Sequence, residues 1–259
     1  MTRKLLILAA ILSVAALSCS KDGGSEGNGE GGEPYFSAGE NLKVQFAPGN
    51  LAYDKTDGYY FVSTITQGDL FCWGTGDRPL YRSDDVDFND FKNFVDWGDG
   101  VSIDGGGWYT PSRQQWSYII TYRKNASKLM AGATVCERWG ALLLPDNWKA
   151  PKGVKLKMYN GDTTSYEDNI IDEETWAKMA AAGAVFLPYY EAKEKDRYGY
   201  DYYEPDGEYH SCSNYDSYGF EINYTIATVV VGKGAALLQW NAQRSRANRA
   251  AVRLIRELK

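Results

Sequence analysis

The sequence predicts an α+β domain, on three observations. Two segments combine helix-start chemistry with an apolar helical face. Several runs alternate apolar and polar residues at the strand period, and the stretches between them are rich in Gly, Asp and Asn. Two helices within a mostly antiparallel, loop-rich sheet is the arrangement these signals imply.

Leu42, Val44 and Phe46 alternate, Pro48-Gly49 interrupts, and Leu51-Ala52-Tyr53 resumes, which predicts an N-terminal strand with a bend. Tyr59 to Thr66 is aromatic and β-branched and reads as a second strand. From Gly74 to Gly107 the composition predicts a long loop region pinned by scattered Phe and Trp. Pro111 then fixes φ and biases Thr110 toward extended geometry. Ser112 and Gln115 form a Ser-x-x-Gln capping box, Trp116, Ile119 and Ile120 share a helical face, and Arg123 and Lys124 complement the dipole of the last turns. The run after Asn125 ends this helix. Gly140 to Leu144 predicts a short strand closed by Pro145-Asp146. Asp172 caps a second helix with Glu173 and Glu174 in its first turn and Trp176, Met179, Ala180 and Gly183 on one face. Ala184 to Leu187 follows as a buried strand ended by Pro188. The last third reads as β, with Phe220, Ile222, Tyr224 and Ile226 alternating and further runs at Thr228–Val231, Ala235–Trp240 and Ala251–Leu254.

The two ends of the chain speak to location. Arg3-Lys4, an apolar run from Leu5 to Val14 and then small residues make a signal peptide over residues 1–18. Ala16-Leu17-Ser18-Cys19 resembles a bacterial lipobox, which implies lipidation of Cys19 and a membrane-anchored mature chain. Ser20 to Pro34 holds six glycines and four acids without an aliphatic or aromatic residue, so 19–34 reads as a lipidated N-terminus and flexible tether. Its r.m.s. span is about 20 Å. Ser20-Lys21-Asp22 resembles the short export signals of surface-exposed lipoproteins in Bacteroidota, which points to the outer membrane and the cell surface. Losing Arg3 and Lys4 with the leader takes the net charge from −6 to −8, and an acidic surface argues against nucleic acid as a partner. Residues 35–259 suffice for one domain.

Along the chain, in order, stand Val44-Gln45-Phe46-Ala47-Pro48-Gly49-Asn50-Leu51, Phe71-Cys72-Trp73-Gly74-Thr75-Gly76, Gly107 to Trp116, Leu142-Leu143-Leu144-Pro145-Asp146-Asn147-Trp148, Gly183 to Pro188 and Val252-Arg253-Leu254-Ile255-Arg256. As a set they resemble the C-type-lectin-like surface lipoproteins of Bacteroidota, related to the paralogous domain family named after Fibrobacter. The resemblance covers nearly all of residues 42–256 and implies a C-type-lectin-like domain. Cys72 departs from the expected glycine, and Tyr209-His210-Ser211-Cys212 from an expected Tyr-Trp-Ser-Ser.

Catalytic chemistry finds little support in these residues. Formylglycine-generating enzymes share the fold class and act through cysteines near the end of the domain, whereas Trp240 to Lys259 holds none. His210 is the sole histidine, which excludes a multi-histidine metal cluster and leaves any Ser-His-Asp triad only that residue. There is no Gly-x-Ser-x-Gly elbow, and His210 reads as a loop histidine stacked among tyrosines. Glu204-Pro205-Asp206 and Trp240-Asn241 resemble the calcium and sugar loops of C-type lectins, but Ala242 replaces the expected aspartate, so no metal and no cofactor are expected. Cys72, Cys136 and Cys212 allow at most one disulfide, and buried thiols are favoured over a bridge.

Recognition is the better reading. Asp196 to Gly219 holds seven tyrosines and six acids among Ser, Asn and Gly, the composition of an adaptable binding loop, or of a long loop folded back on its own domain. The candidate ligand contacts are Tyr202, Tyr203, Tyr209, His210, Tyr215, Asp216, Trp240, Asn241 and Arg244. The C-terminal cations, Arg244, Arg246, Arg249, Arg253, Arg256 and Lys259, are expected to pair with the acidic loop rather than with an anionic ligand. The expected function is a non-catalytic, surface-tethered protein that binds glycan or protein through long loops. The alternatives are an accessory or tip subunit of a surface assembly and a formylglycine-generating-type enzyme.

Overall fold

A computed structural model describes residues 32–77, 79–80, 94–102, 105–159, 165–190, 192–195, 201–204, 207–214, 225–231, 238–245 and 249–259; for 192–195, 201–204, 207, 214, 225–231 and 239–245 it describes the backbone only. The expected signal peptide, Cys19 and most of the tether lie outside the described residues.

Strands β1 (Phe36–Ser37) and β2 (Lys43–Phe46) open the chain. β2 alternates as expected, with Val44 and Phe46 buried between Lys43 and Gln45. β3 (Leu51–Asp54) and β4 (Gly58–Phe61) form a hairpin, and β4 is shorter than the run to Thr66 suggests. β5 (Leu70–Cys72) follows. Of the expected loop region from Gly74 to Gly107, residues 81–93 lie outside the described residues; in the part described, Trp97 packs on Phe71 and Phe94 and starts a 3-10 turn capped by Asp96, whose carboxylate also accepts the Thr110 N–H.

Helix α1 (Arg113–Ser117) carries the expected capping box, with Gln115 N donating to Ser112 Oγ at 3.1 Å and Ser112 N to Gln115 Oε1 at 2.7 Å. The helix then widens into a π turn over Tyr118–Tyr122. Arg123 follows it in extended geometry, is buried, and meets the carbonyl end of the helix as a cation there is expected to. Its Nε donates to Ile119 O and its Nη1 to both Leu144 O and Asp146 Oδ1.

Strands β6 (Met130–Val135) and β7 (Arg138–Leu143) form a hairpin around Cys136-Glu137. Both turn residues have positive φ, 47° and 67°, as a type I′ turn demands. β8 (Ile170–Ile171) leads into α2 (Glu173–Ala181), capped by Asp172, whose carboxylate accepts from Thr175 N at 2.8 Å. Gly183 at φ 89° closes α2 in a Schellman arrangement: Gly183 N bonds Ala180 O and Ala184 N bonds Met179 O. A Cβ there would also meet Pro34 at 2.3 Å.

β9 (Val185–Pro188) is fully buried. β10 (Ala192–Lys195) and β11 (Asp201–Glu204) form a hairpin, followed by β12 (Gly207–Asn214), β13 (Thr225–Val231), β14 (Leu238–Ser245), β15 (Arg249–Ala251) and β16 (Ile255–Glu257). The expected long loop from Asp196 to Gly219 is therefore corrected: much of it is strand. The expected pattern at Phe220 to Tyr224 lies outside the described residues, and Ile226 and Thr228–Val231 belong to one strand.

Three larger sheets organise these strands. β1-β2-β16 joins the two ends of the described chain, β8-β6-β7-β9 backs α2, and β14-β13-β12-β15-β5 spans the last third. All neighbours are antiparallel except β6–β8 and β12–β15. Two helices among antiparallel and mixed sheets make the architecture α+β.

Candidate recognition surface

The predicted ligand contacts fall into three groups. Tyr209 and His210 lie on β12, inside the five-stranded sheet, and both are 0% exposed. That corrects their assignment: a fully buried ring offers a ligand no surface. Tyr209 Oη donates to Pro188 O and accepts from Asn50 Nδ2, and burial pushes its phenol well up. His210 is not a loop residue among tyrosines. It stacks on Trp97, with centroids 5.2 Å apart and planes 17° off parallel. Its Nε2 lies 2.7 Å from Phe71 O, and since a carbonyl only accepts, Nε2 carries the proton. Nδ1 has no partner among the described residues, and burial lowers the imidazole pKa to about 4.

Tyr202 and Tyr203 form the second group, on β11, and Trp240, Asn241 and Arg244 the third, on β14 at the edge of its sheet. The backbone course is described for these five, not their side chains. Tyr215 and Asp216 lie outside the described residues, as do Pro205 and Asp206 of the calcium-like motif. Among the described residues no group of three or more His, Cys, Asp or Glu is placed to hold a metal ion. The Cys212 thiol is pushed up to about 11, chiefly by burial and then by Asp96, which disfavours the nucleophilic thiolate.

Among the described residues Tyr122, Tyr60 and Trp139 are exposed aromatics, and of these Trp139 belongs to a cluster of rings. Trp139, on β7, is 39% exposed and stacks on Tyr166 at 6.0 Å with planes 13° apart. Tyr189 completes the cluster, 6.3 Å from Trp139 and 6.4 Å from Tyr166. Backbone bonding sets this geometry. Tyr189 N donates to Trp139 O at 2.7 Å, and Thr134 Oγ1, opposite Trp139 in the β6–β7 ladder, donates to Tyr166 O at 2.9 Å. The Tyr166 turn exposes Glu167 and Asp168, the latter paired with Lys157 Nζ at 2.9 Å.

This cluster stands at the root of the β10–β11 hairpin. Tyr189 is three residues before Ala192, so their Cα atoms are at most about 11 Å apart. Tyr190 fixes the root. Buried, its hydroxyl donates to Glu208 O and accepts from Glu208 N and Ala251 N, tying the hairpin base to β12 and β15. Tyr189 thus leads into β10, whose ladder partner β11 carries Tyr202 and Tyr203. One signal in the sequence pointed there: Trp139 follows two charged residues at the start of an otherwise apolar strand.

A second surface is an apolar groove of about 810 Å³ between α2, the β6–β7 turn and residues 63–65. Ile65, Trp176 and Ala177 line it, together with Ile170, which is 79% exposed; Glu137, Asp172 and Glu173 also line it. No helix among the described residues is long and apolar enough to cross a membrane. No protein-family model, curated protein or solved structure matches the chain.

Proposed function

We propose that the protein is a non-catalytic recognition lipoprotein with a C-type-lectin-like domain, tethered through Cys19 to the outer membrane and facing the cell exterior. It binds glycan on the aromatic surface formed by Trp139, Tyr166 and Tyr189 and extended by the β10–β11 hairpin. The observation that carries this is the exposed Trp139 ring held flat against Tyr166. A pyranose presents an apolar C–H face and a polar rim, so it needs a rigid aromatic plate with hydrogen-bonding groups beside it. Trp139 supplies the plate, and Glu167 and Asp168 supply acceptors on the turn that carries Tyr166. Tyrosines add amphipathic contact area at low entropic cost. The lectin-like fold is supported by the ordered motifs of the sequence and agrees with two helices among antiparallel sheets.

Glycan-array binding by the full-length protein tests this. The expected result is saturable binding to a defined set of oligosaccharides that weakens at least about tenfold, some 1.4 kcal/mol, in Trp139→Ala. Undiminished binding by that variant would sink the assignment to this surface.

The assembly reading draws on the groove at Ile170. Its apolar lining and acidic members suit a partner subunit that presents an apolar side chain flanked by Lys or Arg. Co-purification of a larger complex from the native membrane, lost on Ile170→Lys while glycan binding persists, would favour that role.

A further inference from the structure

Two arginines are buried among the described residues, and their surroundings differ. Arg123 is saturated: Nε donates to Ile119 O at 2.6 Å, Nη1 to Leu144 O at 2.8 Å, Nη2 to Leu129 O at 3.4 Å, and Asp146 lies 2.8 Å from Nη1 as counter-ion. Arg253 is 1% exposed, and its single acceptor among the described residues is the neutral Oδ1 of Asn50 at 3.0 Å. Among the same residues its Nε has no partner and no carboxylate pairs with it. A guanidinium taken out of water without a counter-ion is costly, and the usual remedies are an acid or a bound anion.

Arg253 lines a cavity of about 240 Å³. Most of the other walls are apolar: Phe36, Phe46, Pro48, Ala181 and Val185 among them, with Thr64 and Gln45 as neutral polar members. That volume equals roughly eight water molecules. It suits a carboxylate with a short apolar chain better than a bare inorganic anion, which would leave the apolar walls unused. The end of α2 also faces this cavity, and its negative dipole end opposes an anion. The opposition is blunted because the carbonyls of Lys178, Met179 and Ala180 already accept from Ala182, Gly183 and Ala184. Glu33 is the only acid among the described residues that line the cavity, and it is exposed.

We infer that this cavity is a binding site for a small organic monocarboxylate, held by the Arg253 guanidinium with its apolar chain against Phe36, Phe46 and Val185. The site is separate from the aromatic surface of Trp139 and independent of the glycan reading. Glu33 at its edge repels the ligand and tunes its affinity.

Thermal unfolding of the full-length protein, titrated with sodium butyrate against matched sodium chloride, tests the inference. The expected result is a saturable rise in midpoint with butyrate and none with chloride. Arg253→Gln abolishes the rise. Because that variant also loses the bond to Asn50, Ala181→Phe is the companion: it fills the cavity from an exposed position and weakens binding at least about tenfold in a folded protein. Glu33→Gln strengthens binding. No midpoint shift in the wild type, an undiminished shift in Ala181→Phe, an equal shift with inorganic phosphate, or weaker binding in Glu33→Gln would each overturn the proposal.

Discussion

Among the described residues two aromatic stacks are near parallel, built to similar geometry in different surroundings. In the core, His210 lies on Trp97 with both rings 0% exposed. On the surface, Trp139 lies on Tyr166 with the indole 39% exposed. Stacking by itself therefore says nothing of ligands. What separates the two is the strand beneath them. β12 runs inside a five-stranded sheet, where both its neighbours and its packed faces exclude solvent. Trp139 stands at the open start of β7, beside the exposed residues Glu137, in the turn, and Arg138, the first of the strand. The inner stack is wholly enclosed by the fold, and the outer one keeps part of its indole in contact with solvent.

The largest effect that separates them is on stability. Trp97→Ala removes a fully buried indole that packs on His210, Phe71 and Phe94, and is expected to cost about 3–5 kcal/mol. Trp139→Ala, on the surface, is expected to cost no more than about 1 kcal/mol. Urea unfolding of the two variants side by side measures the contrast. Similar losses in both would erase the distinction between an inner and an outer stack.

The second effect is on pH dependence, and only the inner stack shows it. Burial holds the His210 imidazole at about 4 in the folded chain against 6.5 when unfolded. The unfolded state thus binds more protons between those values, so stability rises with pH across the window. The contribution is fully present above 6.5 and is lost as pH falls toward 4, about 3 kcal/mol in all at 1.36 kcal/mol per unit. Asp96, raised by burial, contributes in the opposite sense, so the readout is the difference in slope between wild type and His210→Gln. Equal slopes would mean that His210 titrates freely and is not locked in the core.

How much of this was legible in the sequence follows from the same contrast. Elements with local signals were readable: the Ser112–Gln115 capping box, the Asp172 cap and the alternation of Val44 and Phe46 depend on neighbours in the chain. The β6–β7 hairpin was not. Its turn is Cys136-Glu137, where the positive φ angles would ordinarily announce themselves through Asn or Gly, and β6 is a run of small residues buried on both faces with no period of two. The tyrosine-rich stretch misled because its composition is that of a loop, while ladder bonds from β13 and β15 make Gly207–Asn214 a central strand. Such bonds are long-range and leave no local mark. Trp139 was overlooked for the complementary reason: its partners Tyr166 and Tyr189 are 27 and 50 residues away, so only the fold brings the three rings together.

The smallest effect concerns how the outer stack is kept flat. Tyr166 starts a short 3-10 turn that Thr134 Oγ1 secures by donating to Tyr166 O at 2.9 Å. Thr134→Val keeps the shape and β propensity of the side chain but deletes the donor, leaving the carbonyl to find water at this part-buried position. The expected loss of stability is about 1 kcal/mol. The informative quantity is the partition of that loss. If the hydroxyl serves only the fold, glycan affinity stays at its wild-type value while the urea midpoint falls. If it holds Tyr166 as the backing of Trp139, affinity falls together with the midpoint even under fully folded conditions, because a plate that tilts no longer covers the face of a sugar ring. The second outcome is expected, since the Thr134 bond ties the β6–β7 ladder directly to the carbonyl of Tyr166, the residue that carries the lower ring.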